Sequence, residues 1–396
     1  MKEKNQSSSG RLYVKPGPAA ILWPCKINQQ QRGSHGFSQF CWQIARRLEV
    51  GAPLPLLRMN HSKRLAAFVA LGQRLAHLPA DELANQAARA RNQNGWFDMP
   101  NVRAAVAGIG QLLAEAPLRQ WAARYPSEPG TVRQIGVVMA GNIPLVGFHD
   151  LLCVLLSGHI LLAKLSADDT ALMTWLMEEL LTLEPRFADS IKVVPRLNAA
   201  DAFIATGSDN TARYFEYYFG KRPHLIRRNR SSLAVLTGHE TGSELAQLAP
   251  DIFQYYGLGC RNVSKLFVPT SYNFVPLLDA LQIGEGVLNH HKYQNNYDYN
   301  KSILLVNAVP HYDTGFLLLT PSQAVVSPIS VLHYAEYASE VDLVDHLTDV
   351  AERTQCVVSA GGQFAGSVPF GQAQSPGVAE YADRIDTMAF LAAEVG

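Results

Sequence analysis

The chain lacks an imbalance of charge: 34 lysines and arginines face 34 aspartates and glutamates. No general field is available to hold nucleic acid or an anionic membrane surface, so neither is indicated as a partner. Long apolar runs are missing too. The longest, 151–163, is interrupted by Ser157, Gly158 and His159 and falls short of the ~20 residues that span a bilayer; it reads as helix, turn and buried strand. The first 30 residues hold only the short apolar stretch 19–23, too little for a signal peptide. Cysteine is scarce. The five, at 25, 41, 153, 260 and 356, are odd in number and widely spaced, with no C-x-x-C pair, which argues against a disulfide scaffold or a zinc site and fits a reducing cytoplasm. A G-x-G-x-x-G fingerprint and internal repeats are also absent. What remains is a chain of 396 residues, 47% hydrophobic, long enough for two or three domains with a substantial core.

Residues 1–58 scatter Gln, Ser, Gly and Pro without a sustained period, and are expected to be mostly disordered, with Met59 a candidate true start. From Met59 the pattern is helical: Leu65, Phe68, Val69 and Leu75 share a face, Pro79 closes the segment, and 81–121 continues as helices broken at Asn94–Phe97. Beyond Gly130 short β-rich runs alternate with helices: IGVVMA, a helix from Pro144, HILLAKL, a helix from Asp168, IKVV, AFIAT, a helix from Asp209, LAVL, then a helix from Ser243 to Tyr256 and the strand KLFV. Further strands are expected near 303–306, 316–319, 329–333 and 355–358. This alternation predicts an α/β protein with parallel sheets. The expected division is a helical prelude over 59–130, a cofactor domain over 131–236 and a catalytic domain, with the C-terminal segment, over 237–396.

Several residues have the chemistry of a site. Cys260 lies in Gly257-Leu258-Gly259-Cys260-Arg261-Asn262, at a helix-to-strand turn where glycines permit close approach and Arg261 favours a thiolate; the plain alternative is a small buried hydrophobe. Asn142 follows IGVVMA, and is either a cap for the helix entered through Pro144 or an amide donor to a developing oxyanion. Lys164 and Ser166 stand at a strand end, where α/β sheets bind ligands and where a cofactor ribose or its 2′-phosphate would meet them. Gly207 and Ser208, between AFIAT and a helix, offer a helix N-terminus to phosphate, or form an ordinary turn. The polar run 289–300 reads as a loop; its adjacent His290 and His291 make a poor metal pair, and no metal is proposed.

Together the strings GNIPLVGFHDLLCVLLSGH (141–159), KLSADD (164–169), GLGCRNVSKLFVP (257–269), NHHKYQNNYDYNKSILLVN (289–307), QCVVS and the closing YADRIDTMAFL resemble the aldehyde dehydrogenase superfamily and, within it, the LuxC-type acyl-CoA reductases. The resemblance covers about residues 60–396. It implies an aldehyde dehydrogenase-like fold with a Rossmann-like cofactor domain, Cys260 as nucleophile, Asn142 as oxyanion donor, Lys164 and Ser166 on the cofactor ribose, and Gly207 and Ser208 at the pyrophosphate. It also implies NADPH, with NADH as the alternative, an acyl-CoA or other acyl thioester as substrate, a homo-oligomer and an acyl-supplying enzyme as partner. Two departures stand out. Where hydrolytic relatives carry a glutamate as base for water, this sequence reads Arg227-Arg228-Asn229-Arg230-Ser231-Ser232-Leu233, without a carboxylate; where they carry a ribose-binding glutamate, it reads Val326-Ser327-Pro328-Ile329. Acyl exchange with a thiol is therefore expected over hydrolysis.

Overall fold

A computed structural model describes residues 59–207 and 209–395; the expectations for 1–58 and for Ser208 lie outside the described residues. The chain first builds a helical layer. In α1 (His61–Ala76) the Asn60 side chain accepts from Lys63 N, and Leu65, Phe68, Leu71 and Leu75 form one buried stripe. Burying Phe68 and Leu71 completely stabilises the layer by about 1.5–3 kcal/mol each. The break expected at 94–97 separates α2 (Ala80–Gln93) from α3 (Met99–Leu112), whose start is capped by Asp98 and carries Pro100 in its first turn. Then comes α4 (Glu115–Ala122).

The first sheet follows as β1 (Gln134–Val138), α5 (Phe148–Leu156), β2 (Ile160–Lys164), α6 (Thr170–Leu183), β3 (Ile191–Val193), β4 (Ala202–Thr206), α7 (Asp209–Phe219) and β5 (His224–Arg227). Its order is β3-β2-β1-β4-β5, all parallel, with Val137 opposite both Ala163 and Ile204. Neighbouring layers bury the central strands, so they read as continuous apolar runs rather than alternating ones. Strand order reverses between β1 and β4. A crevice at the carboxyl ends of such strands is where ligands bind in open α/β sheets.

The second sheet comprises β6 (Ser231–Val235), β7 (Val263–Pro269), β8 (Tyr312–Asp313), β9 (Leu318–Pro321), β10 (Val331–Tyr337), β11 (Thr354–Ser359) and β12 (Val368–Pro369) in the order β12-β11-β6-β7-β10-β9-β8, parallel except for the β8–β9 pair. Between its strands run α8 (Gly242–Phe253), α9 (Val275–Ala280), α10 (His291–Val306) and α11 (Glu340–Val350).

Three expectations change. β6 pairs with β7 and β11, so the sheets divide between Arg227 and Ser231 rather than at 236. Residues 291–300 of the run 289–300 are helix rather than loop, and 303–306 is no strand: both lie in α10, where Tyr293, Tyr297 and Asn300 fall at helical spacing and are the buried positions while Leu305 and Val306 stay exposed. Finally, the C-terminal segment packs with the first sheet and helical layer, not the second sheet alone. Val378, Tyr381, Met388, Phe390, Leu391 and Val395 share a core with Phe68, Trp121 and Ile204.

Candidate active site

Asn142 leaves the carboxyl end of β1, and Cys260 precedes the amino end of β7, so they belong to facing edges of different sheets. A hydrogen bond joins the edges: Asn142 Nδ2 donates to the Leu258 carbonyl at 2.8 Å. This excludes the cap role for Asn142. The helix after it begins only at Phe148, with Gly147 at its cap position and no capping side chain. Because an amide nitrogen carries two hydrogens, one on Leu258 leaves a second for another acceptor.

The turn bearing Asn142 is pinned from the other side. Asp169, almost fully buried at the start of α6, accepts from Leu145 N at 2.7 Å and thereby holds Leu145 in a left-handed conformation (φ 60°). Its other oxygen has no partner, and burial raises the carboxyl to about 8. Gly141 packs directly on the turn after β2: a Cβ there would lie 2.7 Å from Ser166 Cβ. Ser166 is thus brought beside Asn142, while Lys164 is exposed at the end of β2, its carbonyl accepting from Met139 N at 3.1 Å. At the end of β4, Gly207 donates its N–H to Arg227 O at 3.2 Å, and a Cβ at 207 would crowd Thr211 at 2.9 Å. Lys164, Ser166 and Gly207 therefore line the carboxyl edge of the first sheet, next to its switch point.

Around Cys260 the helix expected to reach Tyr256 stops at Phe253. Tyr255, Tyr256 and Gly257 then run consecutively through the left-handed region (φ 54°, 57° and 77°). Two tyrosines in that region are costly and persist only where surroundings hold them. Asn101 accepts from Tyr255 N at 2.9 Å, the Tyr256 hydroxyl donates to Asp98, and Asn262 accepts from Gly259 N at 2.8 Å while its amide donates to the carbonyls of Asp251, Ile252 and Gln254. Ser232 donates to the Cys260 carbonyl at 3.1 Å. Cys260 is a free, half-buried thiol. Burial pushes it up, Arg261 pulls it down, Asp383 and Cys356 push it up again, and the Cys260 backbone amide lowers it. Arg261 is steadied by Ala373 O at 3.3 Å and Glu380 at 3.2 Å.

The stretch 227–233, empty of carboxylates in sequence, acquires two in space. Arg227 is buried and takes both oxygens of Asp150, at 2.8 and 2.7 Å, with Thr387 alongside. Asp383, left-handed at φ 57°, accepts from Arg228 N at 3.1 Å and lies 3.4 Å from Arg230 Nε. Burial raises the Asp383 carboxyl. Asp150, Asp169, Asn262 and Asp383 were not singled out by sequence reasoning, although each lies in one of the strings that carry the resemblance. His290 and His291 stack on each other and, through His290, on Trp96. Among the described residues no group of His, Cys, Asp and Glu has the arrangement of a metal site, and no helix is long and apolar enough to cross a membrane.

The fold is that of the aldehyde dehydrogenases. It is similar to a putative aldehyde dehydrogenase from Burkholderia cenocepacia (14% identity, 77% of this chain and 76% of that one, TM-score 0.58), to a Mycobacterium tuberculosis aldehyde dehydrogenase complexed with NAD+ (13%, 77% and 74%, 0.55) and to an E. coli NADP dependent enzyme (12%, 77% and 74%, 0.59). Within that class, residues 117–276, which carry both Asn142 and Cys260, match the family model described as Acyl-CoA reductase (LuxC). No curated protein matches its sequence.

Proposed function

We propose that the protein reduces an acyl-CoA, or another acyl thioester, to the aldehyde through an acyl-enzyme on Cys260, with NADPH as the reductant. The observation that carries this reading is the Asn142–Leu258 hydrogen bond, which sets an amide donor from one sheet against the loop of a free thiol from the other. The Cys260 thiolate attacks the thioester carbonyl, a tetrahedral oxyanion forms, and the C–S bond to CoA breaks with the thiolate of CoA as leaving group. Asn142 donates its second hydrogen to that oxyanion and to the oxyanion of the thiohemiacetal that follows. Collapse of the thiohemiacetal releases aldehyde and returns the thiolate. Lys164 and Ser166 would hold the cofactor ribose, and Gly207 and Ser208 the pyrophosphate; the crowding at Gly207 and the switch-point crevice suit a backbone-lined site. NADPH, when bound there, supplies the hydride. Lys164 favours the 2′-phosphate because an ammonium gives it a charge-assisted hydrogen bond.

Hydrolysis is disfavoured. Asp383 is the carboxylate nearest in role to the missing base, but Arg228 and Arg230 engage both of its oxygens. Incubation with an isotopically labelled acyl-CoA and mass analysis of the denatured protein tests the reading: label is expected on Cys260 and lost in Cys260→Ala. With aldehyde and NADP+ but no CoA, NADPH should appear as a burst equal to the enzyme and then stop. Steady release of free acid would sink the thiol-exchange mechanism.

A further inference from the structure

Ser232 of β6 stands between two strands that each carry an extra residue at this point. The pairing advances from Thr354 to Val357 along β11 while β6 advances only from Ser231 to Leu233. Along β7 it advances from Val263 to Lys265 while β6 moves only from Ser232 to Leu233. Such bulges interrupt the ladder and re-aim side chains, commonly beside active sites. Here the bulge in β11 turns Cys356 onto the Ser232 side chain: Cys356 N donates to Ser232 Oγ at 3.3 Å, and Cys356 Sγ lies 3.1 Å from the same oxygen. Gln355, the neighbouring residue of the bulge, accepts from Asp383 N at 2.9 Å and donates to the Tyr381 carbonyl at 3.3 Å, which ties the bulge to the C-terminal segment. Ser232 and Cys356 are both buried.

A hydroxyl has one hydrogen to give and two lone pairs that receive. Ser232 gives its hydrogen to the Cys260 carbonyl at 3.1 Å, so the Cys356 thiol is the donor in its contact with Ser232. Burial pushes that thiol up, which keeps its hydrogen in place at neutral pH. The hydrogen bonds therefore run in one direction, from the Cys356 S–H to the Ser232 O–H to the Cys260 carbonyl, and bonds in series strengthen one another. We propose that Ser232 and Cys356 are positioning residues for acylation: together they fix the peptide plane after Cys260 and so aim its thiol at the thioester carbonyl. The proposal rests on the acyl-enzyme reading above. The pair acts on direction rather than on ionisation. Burial raises the Cys260 thiol and Arg261 lowers it, and Cys356, while protonated, carries no charge to alter that balance. Direction alone matters greatly, because a misplacement of about 1 Å costs on the order of 10²-fold in rate.

The test follows single-turnover acylation of Cys260 by mass analysis, across pH, in the unmodified protein, Ser232→Ala, Cys356→Ala and Cys356→Ser. The acyl donor is whichever of acetyl-, butanoyl- and dodecanoyl-CoA labels the unmodified protein fastest. Alkylation of Cys260 by iodoacetamide and near-ultraviolet circular dichroism are read alongside. Ser232→Ala should slow acylation by about 10- to 100-fold, and Cys356→Ala should slow it more mildly. The half-saturating acyl-CoA concentration, the pH midpoint and the alkylation rate should hold, because a small alkylating agent meets the thiol from many directions. Cys356→Ser keeps a donor and should recover most of the rate, whereas a packing role alone makes Cys356→Ser and Cys356→Ala behave alike. If Ser232→Ala does not fold, the Cys356 variants decide. Unslowed acylation in folded Ser232→Ala or Cys356→Ala, equal rates in the Cys356 variants, or a rate loss accompanied by a shifted pH midpoint overturns the proposal, while acylation of the unmodified protein keeps the general function intact. No acyl group on Cys260 of the unmodified protein from any of these thioesters overturns both.

Discussion

At Cys260 two opposing influences meet: burial holds the thiol above its ordinary value, and Arg261 pulls it down. Acylation should therefore quicken as pH rises through the alkaline range, since only the thiolate attacks. Arg261→Gln should move that rising limb to higher pH, and Arg261→Lys should leave it nearly in place; a single-turnover acylation profile that does not shift in Arg261→Gln would refute the role. Asn142→Ala should lower turnover by about 10²–10³-fold with little change in substrate binding, as read from kcat and KM separately. Asp169 makes a pH prediction of a different kind. Its folded value of about 8 lies far above the 3.8 of an ordinary aspartate, so the native state holds the extra proton and stability falls as pH climbs from about 4 to about 8. Asp169→Asn keeps an acceptor for Leu145 N without a titrating charge, and its melting temperature should decline less over that window. Equal slopes for both proteins would show that Asp169 does not titrate there.

Elements divide into those whose local pattern dictates them and those that depend on distant partners. The runs IGVVMA, HILLAKL and AFIAT are β-rich and bounded by turns, and they are β1, β2 and β4. The stripe of α1 was equally plain. By contrast, β5 has four residues with a charged end, too short for a periodic signal, and exists because β4 pairs with it. The stretch 289–306 misled because its aromatic and amide residues look like a loop and ILLV like a strand; the burial of Tyr293, Tyr297 and Asn300, every third or fourth residue, was the helical signal underneath. Of the candidate site, Cys260 and Asn142 could be singled out by residue type alone, and the Asn142–Leu258 hydrogen bond joins their two loops. The site was illegible where long-range contacts build it, as at Asn262, whose side chain gathers three carbonyls from the end of α8 and its exit. Asn262→Ala should destabilise the protein by about 1–3 kcal/mol, the cost of leaving buried groups unpaired, and slow acylation more than Asn142→Ala slows substrate binding. Denaturant melts alongside Cys260 labelling check this, and normal labelling in a destabilised variant would mean that the loop does not need its anchor.

Across the whole molecule the last residues complete the first core. Tyr381 receives the Trp121 indole N–H at 2.9 Å and meets Tyr125 at 2.7 Å, Asp386 accepts from Tyr125, and Thr387 accepts from buried Arg227. A chain ended at 377 would expose that core and leave Arg227 and Trp121 short of partners; it should fail to melt cooperatively, whereas loss of residues that merely decorate the second sheet would spare the first. The same closure has a consequence for biosynthesis. Because the core around α1 and β1 waits for residues more than two hundred and fifty positions downstream, the opening layer cannot be finished until those residues have been synthesised. Contacts of such sequence separation slow folding, and the half-built first sheet must be kept from aggregating until those residues arrive, so the yield of this protein should depend on chaperone supply and on temperature during synthesis more than its final stability suggests.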